Sequence, residues 1–210
     1  MEKQKEEERA VNNVGLFLFD DVELLDFAGP YEVFSVTSEL NDYTLFRVFT
    51  VSEDGEPIRT VNGLKVLPDF AFDNHPPIDI LVIPGGVGTR KEMDKPSTVE
   101  WIRWNHDRAK ITLSVCSGAR ILGRMGLLDG LEVTTHHEVF DDLRRIAPSV
   151  RLSSEARFVD NGRVLTAGGI SAGIDAAFSI VARLHGEDVT NRTARYMEYG
   201  DWKSLPEATE

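Results

Sequence analysis

The chain of 210 residues has a single cysteine, Cys116, so no disulfide can form within it. That usage suits a reducing compartment. No apolar run approaches the roughly 20 residues that span a bilayer. The opening MEKQKEEERA lacks the apolar core of a secretory signal. Basic residues are in the minority, 23 against 35 acidic ones, for a formal net charge of −12. So acidic a surface repels phosphate backbones and argues against nucleic acid as a partner. Linkers, internal repeats and low-complexity stretches are also absent. A soluble cytoplasmic protein with no membrane partner is expected. At 41% hydrophobic, the chain has the apolar material for a single core.

What is present alternates. Residues 14–19 (VGLFLF), 79–83 (DILVI) and 111–115 (ITLSV) are short apolar runs that read as buried strands. Residues 45–52 alternate like a half-buried strand. Asn62-Gly63 and Asp160-Asn161-Gly162 each separate two strand-like arms and predict hairpins. Helical stretches are predicted over 97–109, 117–125, 138–146, 171–185 and 188–199. Pro30 suits the first turn of another helix, which leaves Asp26 in the loop before it. Strands alternating with helices predict an α/β fold, a three-layer sandwich with a mostly parallel, flavodoxin-like central sheet. One domain over 13–200 is expected, with tails at 1–12 and 201–210. Ligands of such sheets bind beyond the carboxyl ends of the strands. Asp26, Pro84-Gly85-Gly86 and Cys116 all fall at such ends.

Cys116 stands in the stretch LSVCSGARILG, between a strand and a helix. A residue in so sharp a turn is pushed up over the sheet, as in the nucleophile elbow of hydrolases. The helix start offers free N–H groups and partial positive charge, which favour a thiolate. Gly118 removes a side chain that would crowd the turn. A lone cysteine is also a common core filler; the strand-end position and the Ser-Gly that follows favour the reactive reading. Asp26 by its residues alone reads equally as a helix-start cap.

The pieces LLDFAGPYEVF, ILVIPGG, SVCSGARILGRMGLLDGLEVTTHH and LTAGGISAGIDAAFSIVARL occur in that order. Together they resemble the ThiJ/PfpI superfamily of the class I glutamine-amidotransferase-like fold, and within it the isocyanide hydratase branch. The resemblance spans residues 12 to 200. Protease-like members place a histidine directly after the cysteine; here that position is Ser117, so a Cys-His-Glu triad is not implied. An aromatic residue commonly follows the T-T-H of the branch; here it is His137.

The resemblance implies hydration of an isocyanide to an N-substituted formamide, with Cys116 as nucleophile and Asp26 as proton carrier. Ser117 would assist through its hydroxyl and N–H. Gly85, Gly86, Gly169 and Ile170 are assigned to substrate or oxyanion binding, and His136 and His137 to the pocket. No metal and no organic cofactor are implied; His136-His137-Glu138 with Asp141-Asp142 makes a poor metal set because adjacent histidines point different ways. The partners implied are a small-molecule substrate and a second copy in a homodimer. A different ThiJ/PfpI role stays open: a domain sensing oxidants or electrophiles through an accessible thiol, or an enzyme of reactive carbonyl compounds. With no helix-turn-helix after residue 200, a full transcription regulator is not expected.

Overall fold

The three non-alternating apolar runs lie side by side at the centre of one sheet. A computed structural model describes residues 11–205 of the chain. In order, the first half contains β1 (Asn12–Phe17), α1 (Leu24–Glu39), β2 (Phe46–Ser52), β3 (Ile58–Arg59), β4 (Lys65–Val66) and β5 (Phe70–Ala71). Next come β6 (Ile80–Ile83), α2 (Thr89–Glu92), α3 (Pro96–Arg108), β7 (Ile111–Val115) and α4 (Ala119–Arg124). Then follow β8 (Glu132–Val133), α5 (Phe140–Ile146), β9 (Arg151–Leu152), β10 (Phe158–Asp160), β11 (Val164–Ala167), α6 (Ala172–His185) and α7 (Glu187–Tyr196).

The main sheet has seven strands in the order β10-β11-β7-β6-β1-β2-β5. All neighbours are parallel except β10 against β11. Every residue of β6 and β7 is buried, so both faces of the sheet must be covered. Helices α1, α6 and α7 pack on one another, and α4 packs on α5 and α2. The chain winds outward from β1 to β2 and β5, then returns to β6 on the other side of β1. The crevice at such a reversal is where doubly wound sheets bind ligands. It lies beside the start of α1, which carries Asp26, and the loop that carries Gly85.

Both hairpins form as the turn residues require. Asn62-Gly63 joins β3 to β4, with Gly63 at φ +89°. The hairpin is docked by the Val61 N–H, which donates to the Val22 carbonyl at 3.0 Å. Phe72 and Trp101 stack at 4.4 Å between ring centroids, while Trp104 is exposed beneath the Arg108 guanidinium.

Element boundaries differ from the sequence reading in several places. β1 takes in Asn12, assigned to the tail, and a 3-10 turn at Trp202–Ser204 occupies the other tail. Residues 1–10 and 206–210 of those tails lie outside the described residues. The larger correction concerns α1. It begins at Leu24, so Asp26 lies in its first turn rather than in a loop, and Pro30 stands inside it. Pro30 offers no N–H to the Asp26 carbonyl. Other bonds hold the helix start: Glu23 N–H donates to the Gly85 carbonyl, and Gly85 N–H to Asp26 Oδ2, both at 2.9 Å. Among the described residues, no helix is long and apolar enough to cross a membrane.

Candidate active site

Cys116 directly follows β7 and adopts φ +54°. A non-glycine residue in that left-handed region carries about 1–2 kcal/mol of strain, so neighbours must hold it there. The Cys116 N–H donates to the Gly168 carbonyl at 2.9 Å. The Thr135 hydroxyl donates to the Cys116 carbonyl at 2.6 Å. The turn also packs on the end of β6: a Cβ at Gly118 would lie 2.2 Å from the Ile83 carbonyl oxygen. Only glycine fits there.

Asp26 is fully buried. Its Oδ2 accepts the Gly85 N–H, and its Oδ1 has no hydrogen-bond partner. The Asp26 carboxyl and the Cys116 thiol each act on the other's ionisation. Burial raises the Asp26 pKa to about 7 against the Gly85 N–H, and the charge of Glu23 adds to the rise. Burial also pushes the Cys116 thiol up to about 12, helped by the Asp26 charge and opposed by the N–H groups of Ile170 and Ser117. This overturns the expectation that the helix start lowers the thiol pKa. A cysteine only 7% exposed loses more hydration than two N–H groups and a six-residue α4 return. The two acids titrate as a pair, and near neutrality they hold at least one proton between them.

The residues assigned to oxyanion binding do not all present free donors. The Gly86 N–H donates to Ser117 Oγ at 2.9 Å, and the Ser117 hydroxyl faces the Gly86 carbonyl at 3.1 Å. Each satisfies the other. The Gly85 N–H is taken by Asp26. The N–H groups that favour charge on the sulfur are instead those of Ile170 and Ser117. Gly169 contributes space: a Cβ there would lie 2.5 Å from Cδ2 of His136.

Above Cys116 opens a cleft of about 310 Å³. Val61, Val87 and Ile170 give it an aliphatic rim, at 39%, 59% and 37% exposure. Arg90, Arg120 and His136 are on its walls. Arg120 is buried; it donates to Asp142 Oδ2 at 2.7 Å and to Thr89 Oγ1 at 3.3 Å. Arg90 reaches the same Asp142 oxygen at 3.0 Å. His136 Nδ1 accepts the Glu138 N–H at 3.3 Å, which leaves the neutral ring's proton on Nε2. Burial lowers the His136 pKa, and His137 beside it adds to the effect. His137 itself is exposed, its ring tilted against that of His136 with centroids 4.3 Å apart; it does not line the cleft to which it was assigned. Arg90, Arg120, Val61, Val87 and Thr135 carried no role in the sequence reading. Only Thr135, inside the T-T-H segment, had a local signal.

A strained cysteine elbow at the end of a central parallel strand, beside a buried carboxyl, marks a class of α/β folds with an elbow over the sheet. Within that class the chain belongs to the DJ-1/PfpI family, whose model matches residues 12–183. It is 33% identical to the isonitrile hydratase of Pseudomonas putida over 186 residues, 89% of this chain and 78% of that one. It is 28% identical to the transcriptional regulator GbdR of Pseudomonas aeruginosa over 182 residues, 87% of this chain but only 49% of the regulator. Among solved structures, a ThiJ/PfpI family protein from Pseudomonas syringae superposes with a TM-score of 0.81 at 24% identity, covering 100% of this chain and 84% of that one. Drosophila melanogaster DJ-1beta gives 0.78 at 16% identity, covering 90% and 99%. The last two likenesses concern the fold alone.

Proposed function

We propose that the protein hydrates an isocyanide to the N-substituted formamide, with Cys116 as nucleophile and Asp26 as proton carrier. The observation that carries this reading is the buried Asp26 carboxyl, coupled to the Cys116 sulfur at the floor of the cleft. The likeness to the Pseudomonas putida hydratase supports it.

The terminal carbon of R–N≡C accepts both a nucleophile and a proton. Sulfur forms a bond to that carbon while the proton held by the pair is delivered to the same carbon through Asp26. The product is a thioimidate, Cys–S–CH=N–R, the net addition of S–H across the carbon. Asp26, now ionised, takes a proton from water as its oxygen adds to the thioimidate carbon. The nitrogen takes that proton. Collapse of the S–CH(OH)–NH–R adduct breaks the C–S bond and forms the C=O bond. The hydroxyl proton returns through Asp26 to the Cys116–Asp26 pair, and R–NH–CHO leaves. The N–H groups of Ser117 and Ile170 stabilise negative charge on sulfur at both attack and departure. The raised thiol pKa is useful here, because the pair starts with the proton that the carbon needs.

The same upward shift, with the sulfur's burial, counts against the oxidant-sensing alternative, which needs an accessible thiolate. The test is formation of N-cyclohexylformamide from cyclohexyl isocyanide by the purified protein, with Cys116→Ala as control. Turnover lost in that variant is the expected result. A wild-type protein inert toward a panel of alkyl and aryl isocyanides, yet active on methylglyoxal, would replace this reading with the reactive-carbonyl one.

A further inference from the structure

We propose that Arg157, Asp175 and Tyr199 are positioning residues that fix the 168–171 turn so that the Ile170 N–H stays aimed at the Cys116 sulfur. Ile170 is β-branched and adopts φ +46°. Such a conformation costs about 1–3 kcal/mol and persists only where the surroundings over-determine it.

The turn is tied on both sides. The Gly168 N–H donates to the Arg157 carbonyl at 2.8 Å, while the Gly168 carbonyl accepts the Cys116 N–H. The Arg157 side chain then crosses back over the turn. Its Nη2 donates to Ser171 Oγ at 3.2 Å, and its Nε to Asp175 Oδ2 at 2.6 Å. Asp175 lies in the first turn of α6, and its other oxygen accepts the Tyr199 hydroxyl at 2.7 Å. Tyr199 also stacks on Phe178 of the same helix, with centroids 5.2 Å apart. One carboxylate thereby joins the chain before β10, the start of α6 and the segment after α7. None of the three side chains lines the cleft. A half-exposed ion pair adds little to global stability, so positioning and folding can be separated by experiment.

The titratable and charged groups around the sulfur are Asp26 from α1, Glu23 before it, and His136, Glu138, Arg90 and Arg120 on the cleft walls. All keep their places in the variants below. A change in thiol ionisation therefore reports on the Ile170 N–H. The readout is the rate of Cys116 alkylation by iodoacetamide against pH, in the full chain, with urea unfolding run in parallel. It does not depend on the hydratase reading, so either can fail without the other.

Asp175→Asn should slow alkylation on the rising limb of the profile by about threefold, an upward shift of about half a unit. Tyr199→Phe, which keeps the ring stack, should give a smaller shift of the same sign. Arg183→Gln removes a different α6 ion pair, the one to Asp160, and should leave the profile unmoved. The proposal is overturned if both test variants fold and their profiles superimpose on wild type, or if Arg183→Gln shifts the profile equally. Should Asp175→Asn fail to fold, an unmoved profile in Tyr199→Phe overturns it alone.

Discussion

Ile170 and Cys116 line the same cleft and share a left-handed backbone, at φ +46° and +54°, and the Ile170 N–H opposes the rise of the thiol's pKa. Their strands, β11 and β7, are parallel neighbours, with Ala167 opposite Val115. Strain at each is held by the other's loop: Gly168, two residues before Ile170, accepts the Cys116 N–H. The nucleophile and its donor are thus set by one strand register.

Asp26→Asn should remove turnover and raise stability at high pH. The Asp26 pKa moves from 3.8 unfolded to about 7 folded. Its contribution to stability is therefore fully present below about pH 4 and is lost as the pH rises through 7. The loss is on the order of 4 kcal/mol. Urea unfolding at pH 8 should show the asparagine variant to be the more stable, with the gap closing toward pH 4. A gap that does not change with pH would remove the buried-acid account.

Alkylation of native Cys116 should show no plateau near neutrality. With the thiol pushed up to about 12, the rate should climb steadily above pH 9. Stopped alkylation assays across that range decide it; saturation near pH 7 would mean a free thiolate and return the sensing role to favour.

Gly85→Ala should disable the site. The added Cβ would lie 2.5 Å from the Ser117 nitrogen and 2.7 Å from Asp26 Oδ2. Neither can yield without moving the elbow or the acid, at about 1–3 kcal/mol of stability. A displacement near 1 Å costs about 100-fold in rate, so kcat should fall that far while the protein stays folded. Unchanged kcat would show that the acid–thiol spacing has slack.

The aliphatic rim should favour an apolar R group. Val87→Asp should raise KM for cyclohexyl isocyanide about fivefold, one lost aliphatic contact of about 1 kcal/mol, with kcat nearly kept. Steady-state kinetics on cyclohexyl and carboxylate-bearing isocyanides would test this; equal KM values in wild type would refute it.

Much of this arrangement was legible from local chemistry. Asn62-Gly63 announces a left-handed turn, while Gly118 and Gly169 announce close approaches that leave no room for a side chain, and each stands where its residues place it. Asp26 was legible as a functional candidate but not as a helical residue. Pro30 marks a helix start in sequence, whereas here tertiary bonds to Gly85 begin the helix six residues earlier. The thiol's direction of titration was misread because helix-start charge is local while burial is not. Arg90 and Arg120 reach the cleft through the packing of α2 and α4, which no short motif records.

The solitary sulfhydryl has one more use. At 7% exposure and with a raised pKa it reacts slowly in the native molecule, through the cleft alone, and gains an ordinary thiol's reactivity when the chain opens. Labelling kinetics at graded urea would therefore meter the opening free energy of the central sheet, with no engineered probe and no competing thiol to correct for.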